Sequence, residues 1–137
     1  MSFDSLPVVW INCESAPFLD YIGAGLKIFE TRGRNVLRAL VEKRVILAET
    51  GRGRHLARYT AVIDYAVPVY DRKIWDVLRG DADHPGHLVP VDNQYDWKPN
   101  TRVKWLYRLT EVEQIPIPFT VTHYDNIGRS WAIMKEE

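Results

Sequence analysis

Runs of β-branched and aromatic residues recur along this chain more often than helical patterns separate them, and that order limits the folds open to it. Residues 6–12 hold two valines, a tryptophan and an isoleucine and read as a buried strand. Strands are also expected over 27–32, 44–49, 59–67, 103–115 and 129–134. Pro68 is expected to weaken the continuation of one of them, and Pro116 and Pro118 to break another. Three short helices are expected between them. In the first, Ser15 is the N-cap, Pro17 sits in the first turn, and Phe18, Leu19 and Ile22 form the apolar stripe. Asn35 would cap the second, with Leu37, Leu40 and Val41 inward. Asp71 and Gly80 bracket the third, with Ile74, Trp75 and Leu78 buried. Strands and helices do not alternate strictly, which argues against a doubly wound parallel sheet. An α+β domain built on a small, partly closed mixed barrel with about three flanking helices fits best.

The chain has 137 residues, which is one domain's worth. Residues 81–102 hold three prolines and little periodicity, and are expected to be a long loop insertion covering a site. No apolar run approaches the roughly twenty residues that span a bilayer. Residues 1–7 carry neither a basic region nor an apolar core of the secretory kind, and Cys13 has no second cysteine to pair with. A cytoplasmic protein without membrane contact is expected. The chain has no net charge, yet residues 27–58 carry nine basic side chains against Glu30, Glu42 and Glu49. Such a segment can attract a polyanion locally, or be a solvated surface whose charges balance in three dimensions.

Gly25-Leu26-Lys27-Ile28-Phe29-Glu30-Thr31-Arg32 concentrates the chemistry. Side chains alternate along a strand, so Glu30 and Arg32 share a face. Lys27 joins them only if Gly25 bends the chain and leaves Lys27 in the turn. Converged, the three could bind a phosphate or a base edge, with Arg32 as a planar fork and Lys27 as a point charge. They could catalyse, with a desolvated Lys27 as base beside Glu30. They could also be an ion pair that only organises the fold.

The pattern G-x-K-x-x-E-x-R, followed after a strand by an apolar strand at 45–48 and closed by Gly128-Arg129-Ser130-Trp131-Ala132, resembles the ASCH family. That resemblance covers most of the chain and implies a PUA-like barrel associated with RNA. It implies RNA or a modified nucleoside or nucleotide as partner, held in the barrel mouth. A branch of the family resembles amidohydrolases acting on acylated cytidine, and others look like ribonucleases, so a small hydrolase using Lys27, Glu30 and Arg32 is the alternative. In the amidohydrolase branch a threonine nucleophile stands where this chain has Glu30, with Thr31 one residue on. That displacement weights binding over hydrolysis.

Further candidates surround the motif. Arg34 adds charge to it, and Arg52 and Arg54 lie in a glycine-containing turn that could form an anion nest or a solvated β-turn. The turn lacks the Lys-Ser/Thr of a P-loop, and no cofactor is expected. Tyr95 and Trp97 could stack on an unpaired base or tack the long loop to the core. Asn12 could read a base edge or cap the following helix. Asp81, Asp83, His84 and His87 resemble metal ligands by composition alone and read as a polar loop, so no metal site is expected.

Overall fold

Seven strands make a single mixed sheet in the computed structural model, which describes residue 3 and residues 5–135. The strands are β1 (Pro7–Asn12), β2 (Phe29–Arg32), β3 (Arg44–Thr50), β4 (Leu56–Val69), β5 (Lys104–Thr120), β6 (Tyr124–Ile127) and β7 (Trp131–Met134). Their spatial order is β2-β5-β4-β3-β1-β7-β6. Among these pairs β1 and β3 run parallel, Val8 opposite Ile46 through Asn12 opposite Thr50, and the others are antiparallel. Parallel pairs are covered on both faces. Accordingly Val45, Ile46, Leu47 and Ala48 are all buried. Alternation sends Val9, Ile11 and Leu47 into the larger core with Leu19, Ile22 and Tyr107, and sends Val8, Ile46 and Ala48 into a smaller core on the opposite face.

The expected barrel is replaced by an open sheet, with β2 and β6 as its two edges. Backbone pairing does not close it, but a side chain spans the gap. Arg32 on edge strand β2 donates through Nη2 to the Trp10 carbonyl on β1, beyond β5, β4 and β3 in the sheet order. A four-residue edge strand offers too short a ladder to close a barrel, and a guanidinium satisfies the facing carbonyl instead.

Among the described residues two α-helices form rather than three: α1 (Phe18–Gly23) and α2 (Arg72–Val77). Pro17, not Ser15, occupies the N-cap of α1. Where the second helix was expected there is one 3-10 turn, Arg38–Leu40. Asn35 does not cap it, because its side-chain oxygen accepts from the Tyr107 hydroxyl at 2.9 Å. Asp71 caps α2 as expected, accepting from the Lys73 N–H at 2.7 Å. Trp75 is buried as expected, whereas Ile74 is 52% exposed.

The three prolines do not end their strands. β4 pairs with β3 only over residues 56–62, so Pro68 lies where β4 has β5 alone as neighbour. Pro116 and Pro118 lie where β5 has lost β2, and they fall between the paired residues Gln114 and Phe119. In both places the missing N–H disrupts no second ladder.

Residues 81–102 contain no named strand or helix, yet they pack against the domain. Gly86 bridges Lys27 side by side, and a Cβ at Gly86 would stand 2.4 Å from the Arg79 carbonyl oxygen, so only glycine fits. His87 is fully buried and stacks on Trp75 at 3.8 Å. Burial lowers its pKa to about 3, so the ring is neutral. Its Nδ1 accepts from the Val89 N–H, and Nε2–H donates to the Trp75 carbonyl. Among the described residues no helix is long and apolar enough to cross a membrane.

Candidate functional site

The motif converges because a turn, not a strand, carries Lys27. After α1, Gly25 takes φ +78°, and the Leu26 and Lys27 amides both donate to the Tyr21 carbonyl, at 3.0 and 3.1 Å. The Ile28 N–H then donates to the Gly86 carbonyl at 2.8 Å, and β2 begins only at Phe29. Lys27 is thereby turned to the side of Glu30. Its Nζ donates to the His87 carbonyl at 2.6 Å, lies 3.8 Å from Glu30 Oε1, and sits 5.0 Å from the centre of the Phe18 ring.

Glu30 is held from both ends. Oε2 pairs with Arg32 Nη1 at 2.9 Å, and Oε1 accepts the Thr31 N–H at 2.9 Å. Arg32 Nη1 also donates to the Thr31 carbonyl, and Nη2 to that of Trp10. Its fork is therefore oriented by protein groups, with Nε and one Nη2 proton unassigned by these bonds. Burial pushes the Glu30 carboxyl up, but Arg32, Lys27 and the two hydrogen bonds outweigh it, and the net shift is down. Lys27 goes the other way. Burial and the Arg32 charge lower its pKa to about 8 against the opposing pull of Glu30.

These three residues line a cavity of about 660 Å³, within the usual range for small-ligand sites. The apolar part is Ile11, Phe18 and Val89. The charged part is four cations, Lys27, Arg32, Lys104 and Arg129, against the single carboxylate of Glu30. Lys104 donates to the Tyr95 carbonyl at 2.8 Å, and burial lowers its pKa. Arg129 and Gly33 are the exposed members of the lining. The long loop does reach the site, contributing Val89 and Tyr95, and burial raises the pKa of the Tyr95 hydroxyl.

Of the residues expected to act together, Asn12, Lys27, Glu30, Arg32 and Tyr95 line this cavity. Asn12 caps no helix; its Oδ1 accepts the Glu14 N–H at 2.9 Å. Arg34, Arg52, Arg54 and Trp97 stand apart from the lining. Arg34 is exposed, and Trp97 packs against Trp75 at 6.3 Å, so it tacks the loop down. Arg52 donates to the Cys13 carbonyl, and Arg54 pairs with Glu49 at 2.6 Å, so the glycine-containing turn presents fewer free charges than its sequence suggests.

The sequence reading missed Lys104, Arg129 and Ser130 as cavity residues. They lie over seventy positions from the motif, and only pairing brings them back. Trp105 opposite Arg32 places Lys104 beside Gly33, and the Ser130 carbonyl accepts the Trp10 N–H at 3.2 Å.

Comparison with solved structures finds this architecture in a crystal structure of a mutant ZmASCH protein from Zymomonas mobilis. The two share 18% sequence identity at a TM-score of 0.67, over 99% of this chain and 92% of that one. The chain folds as an ASCH domain. No protein-family model matches it, and no curated protein does. At this identity the ASCH fold is what the two share. The shared fold agrees with the resemblance carried by residues 25–32, and the chemistry of this domain rests on its own cavity.

Proposed function

We propose that this domain binds RNA or a nucleotide-like ligand in the cavity fronted by Lys27, Glu30 and Arg32. The observation that carries the reading is the imbalance of the lining, four cations to one carboxylate around a partly apolar pocket. A ligand with an anionic group and a flat, partly apolar body satisfies both parts. Lys27, with its pKa near 8, is predominantly protonated at neutral pH and contributes a charge. Arg129 supplies an exposed cation for phosphate, and Lys104 a second one held in the wall by the Tyr95 carbonyl. Ionised Glu30 accepts a donor from a base edge, and Tyr95 offers a ring to stack on. Titrating the protein with nucleoside monophosphates and with single-stranded RNA over a salt series tests this. Affinity should fall as salt rises, and it should fall on the order of tenfold in Lys104→Ala/Arg129→Ala. Salt-independent binding, or none, removes the reading.

One observation favours hydrolysis as a second reading. Lys27 has a lowered pKa and lies 3.8 Å from Glu30, which suits a general base for RNA or acylated nucleosides. A base must be neutral, so turnover should climb with pH up to about 8 and then level. Turnover unchanged in Lys27→Met would assign it to another group.

A further inference from the structure

Gly33 stands at the lip of the cavity, exposed, with open space where a Cβ would lie. Two register pairs gather charge beside it. Arg32 is opposite Trp105 across β2 and β5, and Val69 is opposite Lys104 across β4 and β5. The chain therefore leaves β2 through Gly33 and Arg34, leaves β4 through Tyr70, and enters β5 from Arg102, all at one end of the sheet. The side chains of Arg34 and Arg102 are exposed, and neither has an ion-pair or hydrogen-bond partner among the described residues. Tyr70 is 70% exposed. The nearest acid in this sequence stretch, Asp71, has its carboxylate turned to the Lys73 N–H as a helix cap.

We infer that this end of the sheet is a track for a single nucleic-acid strand. One nucleotide occupies the cavity, the backbone passes over Gly33, and the adjoining phosphates lie on Arg34 and Arg102 with an unpaired base against Tyr70. The inference rests on the cavity being a nucleotide site and adds that its partner is a strand rather than a free mononucleotide. Each element has a physical warrant. An untethered guanidinium can turn its fork to a phosphate without first giving up a protein partner. A largely exposed tyrosine ring stacks on any base. A glycine lip leaves room for a sugar–phosphate chain where a side chain would block it. The base in the cavity must be unpaired, so a duplex does not fit.

The test compares a labelled, mixed-sequence RNA nonamer, followed by fluorescence anisotropy, with nucleoside monophosphates as competitors. The parent is set against Arg34→Glu/Arg102→Glu, whose exposed positions spare the fold. Parent protein should bind the nonamer more tightly than any monophosphate. In the variant the nonamer should weaken on the order of tenfold or more with a shallower salt dependence, while monophosphate affinity stays within about twofold. Tyr70→Ala should weaken the nonamer several-fold and leave the monophosphates alone. A nonamer unaffected by the double variant, or no tighter than a monophosphate on the parent, overturns the track and leaves the cavity reading standing. A parent that binds neither ligand overturns both.

Discussion

This domain builds the same chemical motif twice, a buried carboxylate between two cations, and gives it two different settings. Glu30 lies between Lys27 and Arg32, at 3.8 and 2.9 Å. Glu49 lies between Arg54 and Arg58, at 2.6 and 3.0 Å. The second cluster is neutral in sum, because Arg58 goes on to Asp20 at 2.6 Å and so ties β4 to α1. Its outer cation, Arg54, has a side chain 52% exposed. The first cluster keeps an excess cation and faces the cavity, and its Lys27 side chain is 1% exposed. Burial therefore lowers the Lys27 pKa, while Arg58, also opposed by burial, is raised by Asp20 and Glu49. The same arrangement of charges thus becomes a clasp or a candidate site according to which cations flank the carboxylate and what else packs around them, and a charged pair in a sequence does not say which.

The comparison can be broken by removing each carboxylate. Glu30→Gln leaves the Lys27 ammonium buried beside Arg32, and about 3 kcal/mol of stability should be lost. Glu49→Gln leaves Arg54 able to turn to water and Arg58 still paired, and about 1–2 kcal/mol should be lost. Denaturant midpoints for the two variants measure this directly, and equal losses would erase the distinction. Stability against pH sharpens it. Below about pH 8 Lys27 is charged in both folded and unfolded chains, and its burial penalty is fully present. Between about 8 and its ordinary value of 10.5, the unfolded chain still binds the proton that the folded one has lost. Stability should therefore rise through that window, by up to about 3 kcal/mol. Lys27→Met should flatten that limb, and a limb that persists in the variant would place the proton elsewhere. The smallest effect belongs to Arg54→Ala, which removes the half-exposed cation while Arg58 stays on Glu49, and should cost about 1 kcal/mol in the same denaturation assay.

Much of the fold was legible where periodicity and punctuation agreed. Strands at 7–12, 29–32 and 44–50, the Phe18–Leu19–Ile22 stripe and the Asp71 cap all follow from local pattern. What local pattern could not convey was neighbourhood. Pro68, Pro116 and Pro118 read as breakers because the sequence does not reveal that β4 and β5 have lost a second partner there. Asn35 read as a cap because the competing Tyr107 hydroxyl is 72 residues away. Strand β6 went unseen because Asp125, Asn126 and the following Gly128 carry turn chemistry, although they form a hairpin with β7.

The site divides in the same way. Glu30 and Arg32 share the cavity as alternation requires, and the turn at Gly25 resolves Lys27 in favour of convergence. Arg52 and Arg54 stand in a glycine-containing turn that reads as either an anion nest or a solvated turn, yet their bonds to the Cys13 carbonyl and to Glu49 occupy them. Lys104 and Arg129 carry no local signature, and only sheet register reveals them.

The most direct test of the cavity as the ligand site is equilibrium binding of nucleoside monophosphates to two double variants side by side. Lys104→Ala/Arg129→Ala strips the cavity of two of its four cations, and Arg52→Ala/Arg54→Ala strips the turn of the same formal charge. An affinity loss on the order of tenfold in the first and under about twofold in the second is predicted. Equal losses, or a loss confined to the turn variant, would contradict it.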